Sequence, residues 1–196
     1  SKVEPYYSNI DTIFNATKVQ SISLVSMSYV YSSEEFGGNS GNIEEKVKSE
    51  NNYLASVKLK YSNKVKTFYG IDPLQEFALS EIKRCHNELK LDGIKLHHNA
   101  SQVYLTESVH LKKVKAIFEY ASNNRIPILM HFDNAHPKFG KTDVKILADS
   151  VLAGLEYVNL QIAHFGTSGG FNQKTKETLD AFIELFQSNH PITKHS

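Results

Sequence analysis

Pro127–Phe132 reads PILMHF, and one unit further along Asn159–Phe165 reads NLQIAHF. Each is a short apolar run that closes on a histidine and is bounded by proline or polar residues. Runs of this kind suit strands buried on both faces, as a parallel sheet requires. Working outward, Gly93–His98 (GIKLHH), Lys66–Asp72 (KTFYGID) and Ser21–Tyr31 (SISLVSMSYVY) repeat the pattern. Helical stripes separate them. Leu74, Phe77, Ala78, Ile82 and Cys85 keep helical spacing, as do Val114, Ile117, Phe118 and Ala121, then Val144, Leu147, Ala148, Val151, Leu152 and Leu155. Leu179, Phe182, Ile183 and Phe186 form the last stripe. Each stripe gives a helix one apolar face to lay on a sheet. Strands alternating with such helices predict an α/β fold with parallel strands and right-handed crossovers.

An open doubly-wound sheet and a barrel both fit this alternation, and the placement of polar residues separates them. Asp72, His97 with His98, His131 and His164 fall at or next to the ends of their runs. The C-terminal ends of the strands are where (β/α)8 barrels build their sites. The expected fold is therefore an incomplete (β/α)8 TIM barrel, a single partial-barrel domain over residues 1–196. Residues 32–52 are polar and glycine-containing and predict a loop insertion, and residues 189–196 lack periodicity and predict a frayed tail.

Composition limits the rest. Lys and Arg total 22 against 21 for Asp and Glu, so no basic excess points to nucleic acid. No apolar stretch is long enough to span a bilayer, which leaves a soluble chain acting on a small molecule. The single cysteine, Cys85, excludes an internal disulfide and a cysteine metal cluster, and its apolar helical position predicts a buried, inert thiol. A disulfide-free chain fits the cytosol slightly better than export. Ser1–Pro5 carries no initiator methionine or signal core and reads as an interior or processed end.

PILMHFD (Pro127–Asp133) and LQIAHFGTSGGF (Leu160–Phe171) together resemble the amidohydrolase superfamily, in particular its branch of metal-dependent amidohydrolases, lactonases and non-oxidative decarboxylases. GIKLHH looks like the fourth strand of that branch and YGIDP (Tyr69–Pro73) like its third, so the resemblance covers strands two to six, from about Ser21 to Gln187. It implies that His131 ligates a divalent metal ion, zinc above all. It implies that His164 is a second metal ligand or a catalytic acid/base. The first-strand His-x-His and the strand-eight aspartate of the family have no counterpart here. The chain is thus expected to be a portion of a longer enzyme, or else a barrel remnant without chemistry. Exposed sheet edges in such a portion make a homo-oligomer possible.

The residues support these roles on chemical grounds. Imidazole suits zinc, and a histidine poised near neutral pH shuttles protons. The glycines after His164, Gly169 among them, let backbone approach a substrate, or serve only as a tight turn. Lys95 and His97 lie two apart and share one strand face. Lys95 must then be paired, neutral or carboxylated, as some superfamily members carboxylate a strand-four lysine. His97 is the expected inward-facing member of the His97-His98 pair and a substrate contact, with His136 at the rim. Asp133 is expected to orient His131 from behind, whereas Asp72-Pro73 is turn chemistry. The expected function is a metal-dependent hydrolase in which metal-activated water attacks an amide, lactone or ester carbonyl. Its alternatives are a decarboxylase of the same superfamily, a metal-free enzyme gripping a phosphorylated substrate, or a non-catalytic remnant.

Overall fold

A computed structural model describes residues 10–36, 38 and 41–195. The stretch Ser1–Pro5, Ser196 and part of the 32–52 segment lie outside these residues. Helix α1 (Ile10–Ala16) leads into β1 (Ile22–Val25), a 3-10 turn (Ser28–Tyr31) and α2 (Ile43–Tyr61). Strand β2 (Val65–Gly70), α3 (Ala78–Asn87), β3 (Gly93–His97), α4 (Ser108–Asn123) and β4 (Ile128–His131) follow. Then come α5 (Lys141–Ile146), which widens into π-type turns over Leu147–Leu152, β5 (Leu160–Ile162), α6 (Gln173–Gln187) and a 3-10 turn over Pro191–His195.

The five strands form one sheet in the order β1-β2-β3-β4-β5, every neighbouring pair parallel. Sequential order with right-handed crossovers sends every connecting helix to the same face, which is the winding of a barrel and not of a doubly-wound sheet. The sheet is open, with β1 and β5 at its edges. Tyr69, Ile94, Leu96, Ile128 and Met130 point to the helix side and share one core with Ile82, Cys85, Val114, Ile117, Val144 and Leu147. Burying each such aliphatic side chain contributes about 1.5–3 kcal/mol, and this layer is the main source of stability. Opposite it, the register aligns Phe68 with Gly93, Lys95 with Leu129 and His97 with His131 on the concave face.

Polar clamps fix the layers. Asp92, just before β3, accepts from the Thr67 amide and hydroxyl at 2.9 Å each and pairs with Lys58 at 2.9 Å, tying β2, β3 and α2 together. Glu81 on α3, 1% exposed, receives two bonds from Arg84 at 2.8 Å and one from Asn51 of α2 at 2.9 Å. Cys85 is fully buried beneath it and donates its thiol to the same carboxylate. Burial pushes that thiol well above its usual range, so it is inert.

Three expectations are corrected. The 32–52 segment is not loop throughout, because α2 begins at Ile43, with the Asn42 side chain accepting from the Glu45 amide as its cap. Its buried stripe is Val47, Asn51, Leu54 and Val57, and the asparagine in mid-stripe hides the helical period. Within the 189–196 tail, residues 190–192 dock and are not frayed: Ile192 packs against the core and His190 Nε2 meets Asp149 Oδ1 at 2.9 Å. The last apolar run is shorter than its letters suggest, since β5 stops at Ile162. Among the described residues no helix is long and apolar enough to cross a membrane.

Candidate functional site

His97 and His131 are the last residues of β3 and β4, and their register pairing sets the two imidazoles side by side on the concave face. The rings are stacked at 4.0 Å between centroids and 7° from parallel. Tyr29, delivered by the 3-10 turn after β1, covers the other face of His97 at 4.5 Å. His164 approaches His131 edge-on at 5.5 Å. Tyr29, His97, His131 and His164 thus form a continuous row across the C-terminal ends of the sheet. His98 points the other way into the helix layer, 1% exposed against Phe132, as alternation along a strand demands.

His131 is 7% exposed, and its Nε2 is buried without a hydrogen-bond partner. Burial, Lys95 and His164 lower its pKa to about 4, so the ring is neutral at physiological pH and keeps a lone pair. A buried, unsatisfied ring nitrogen costs free energy unless something occupies it. His97 differs. Its Nδ1 accepts from the Ala100 amide at 3.2 Å, which assigns the proton to Nε2. Burial and His131 hold it neutral, with a pKa of about 3. It is a hydrogen-bond donor on this face, not a lone pair awaiting a metal.

His164 stands beyond β5 on unusual backbone. His164 (φ 54°) and Phe165 (φ 55°) are both left-handed, and Gly166 (φ 87°) continues the turn. A Cβ on Gly166 would lie 2.8 Å from Thr178 Cγ2, so glycine is required there for close packing on α6 as well as for its φ. Gly169 (φ 104°) is also left-handed, but nothing lies within 4 Å of where its Cβ would be.

Asp133 accepts from Lys174 Nζ of α6 at 2.8 Å, from Ser168 Oγ at 2.7 Å and from the Ala135 amide at 2.8 Å. Two of its three partners lie in the loop carrying His164 and in the helix behind it, the third is in its own loop, and none is His131. The Asn172 side chain caps α6 at the Thr175 amide, and Thr175 Oγ1 donates to the Gly170 carbonyl at 2.9 Å. Together these bonds pin the segment that brings His164 to His131. His136 is exposed at the rim, where its ring meets Tyr104 edge-on at 5.7 Å and its Nδ1 accepts from the Lys138 amide. Asp72 caps its own turn through the Leu74 amide and the Gln75 side chain.

Lys95 is 7% exposed on the concave face, its Nζ bonded to the Leu96 carbonyl at 3.0 Å and 5.9 Å from the centre of the Tyr29 ring. Tyr29, Ser168 and Lys174 escape a reading of the sequence. Tyr29 sits in a run that looks like strand, and the other two act through a turn whose path no periodicity records. Among the described residues no group of three or more His, Cys, Asp or Glu side chains is arranged to hold a metal. The orphaned Nε2 of His131 beside the His164 ring fits part of a metal site, short of the three protein ligands of a catalytic zinc.

Neither a protein-family model nor a curated protein matches the chain. Solved structures do. A candidate amidohydrolase from Staphylococcus aureus superposes with a TM-score of 0.58 at 19% identity, over 82% of this chain and 60% of that one. A 2,6-dihydroxybenzoate decarboxylase in complex with 2,6-dihydroxybenzoate gives 0.58 at 16% identity, over 80% of this chain and 55% of that one. The 2,6-dihydroxybenzoate decarboxylase from Rhizobium gives 0.57 at 14%, over 85% and 61%. The chain thus spans 55% to 61% of the length of these three proteins and shares their fold over that region.

Proposed function

We propose that the chain carries one part of the active site of a metal-dependent hydrolase of the amidohydrolase type, acting on an amide, lactone or ester of a small molecule. The observation that carries this reading is the buried, unpartnered Nε2 of a neutral His131 with a second imidazole beside it. His131 would hold a divalent ion, zinc being the expected one, and His164 would be its second ligand or the acid/base of the reaction. When bound, the ion supplies Lewis acidity and lowers the pKa of water at the site. His97 presents its N–H to the same face, and the Tyr29–His97–His131 stack holds these rings in place. His164, which is exposed, would take or give a proton in this reading. The folds of the two 2,6-dihydroxybenzoate decarboxylases favour a second reading, non-oxidative decarboxylation of a small aromatic acid at the same residues.

The test is metal content by elemental analysis of the intact protein and of His131→Ala. Removing one of so few ligands should strip most of the metal. An unaltered metal content in His131→Ala, or a wild-type protein that takes up no divalent ion, sinks the proposal. Assay of the metal-loaded protein against lactones and amides on one side and dihydroxybenzoates on the other separates the two reactions.

A further inference from the structure

We propose that Lys95 and His97 form a binding site for a carboxylate group of the substrate. The inference rests on the reading of this end of the sheet as a substrate site and adds the chemical class the site selects. Lys95 is a buried cation without an anion. Among the described residues no carboxylate lies within ion-pairing distance of its Nζ, whose only hydrogen bond is to the Leu96 carbonyl. The nearby acids are engaged elsewhere: Asp133 by Lys174 and Ser168, Asp72 by its own turn, and Glu50 by the Ser26 hydroxyl and the Met27 amide. Burying an ammonium unpaired is costly, and a bound anion recovers that cost. Burial lowers the Lys95 pKa only to about 8, so the charge persists at neutral pH.

His97 supplies the second contact. It lies two residues along the same strand face, and with Nδ1 committed to the Ala100 amide it offers Nε2–H. Its ring is held between Tyr29 at 4.5 Å and His131 at 4.0 Å, so the donor is fixed in direction before any ligand arrives. Tyr29 also flanks the Lys95 ammonium, giving the pair a common aromatic wall. An ammonium and an imidazole N–H match the two oxygens of a monoanion. A phosphate dianion calls for more donors, such as an arginine fork or a run of amides. Arg84 is engaged by Glu81 and Arg125 lies against Tyr157, so neither reaches this face. A carboxylate anchored on β3 is one strand, about 4.8 Å, from β4, which lets the rest of a small substrate reach His131 and His164.

The experiment is an NMR titration of isotopically labelled protein without added metal, using benzoate, its neutral isostere benzamide, and inorganic phosphate. Benzoate should shift the His97 and Lys95 side-chain signals, and benzamide should bind at least about tenfold more weakly. Lys95→Met should weaken benzoate by about 10- to 100-fold, as expected for loss of a charge-assisted bond, while Lys95→Arg retains most of it. Equal binding of benzamide, phosphate binding tighter than benzoate, or wild-type benzoate affinity in Lys95→Met each overturns the site. The benzoate-to-benzamide comparison needs no variant, so a Lys95→Met protein that fails to fold leaves a decision in hand. Because the titration is run without metal, a wild-type protein that takes up no divalent ion but still prefers benzoate to benzamide keeps this proposal while the metal reading fails.

Discussion

At the end of β4, His131 belongs to the strand itself, 7% exposed and pressed flat against His97. His164 stands past the end of β5, exposed, on left-handed backbone, and reaches the same place only because its loop is tied down. The first imidazole takes its position from a hydrogen-bonded ladder with neighbours on both sides. The second takes it from two bonds, those of Ser168 and Lys174, to one carboxylate, that of Asp133, on the neighbouring strand's exit. A position set by a sheet interior is rigid, and one set by a latched turn can adjust. That is the division expected between a group that holds an ion and a group that moves a proton.

Function separates the two most sharply. His164→Asn in the intact protein should retain most of its metal and lose turnover by about 10²–10⁴-fold. A metal-free His164→Asn protein would make His164 a ligand and erase the contrast. Next in size is the support of the rigid side. Phe132 is fully buried among His98, Phe139 and Phe182, and Phe132→Ala should cost about 3–5 kcal/mol in chemical denaturation. The latch is worth less. Asp133→Asn should cost about 1–3 kcal/mol and abolish the ring-to-ring contact between His131 and His164 by NMR, leaving the His97–His131 stack intact. If both contacts persist, the latch does not position His164.

The smallest effect lies away from both histidines and serves as their reference. Burial pushes the Glu81 carboxyl up, but bonds from Arg84, Asn51 and Cys85 outweigh it and hold the group below its ordinary range. Its contribution is therefore complete above about pH 4.5 and fades as pH falls through the lower folded value. Denaturation curves should show a loss of stability on acidification that Glu81→Gln no longer shows. An unchanged acid profile in that variant would place the sensitivity elsewhere.

The sequence showed the sheet-borne side far better than the latched one. PILMHF and GIKLHH carry dense apolar runs, and their histidines fall where strand register alone sets direction, so β3, β4 and the inward face of His97 follow from alternation. His164 looked equivalent in the letters because NLQIAHF has the same shape. The difference lies in backbone dihedrals and in Ser168 and Lys174, which reach Asp133 across 35 and 41 residues of chain. Asp133 shows the limit most plainly. Two residues from His131, it invites a role behind that ring, but its oxygens face the neighbouring loop. Asn51 hid α2 for a related reason, since a buried polar residue whose side-chain N–H donates to Glu81 interrupts a stripe that only packing completes.

The strand order carries a kinetic consequence. Every strand pairs with the one before it in the chain, so no pairing waits for a distant segment to be synthesised or to diffuse back. Each new strand and helix can add to an edge already present, which keeps loop-closure entropy small at every step. A chain built this way should acquire protection against hydrogen exchange in order from β2 outward, with β5, a three-residue edge strand, last and least protected. His164 would then reach His131 only when the β5 unit settles, making the proximity of those two rings a reporter of that step.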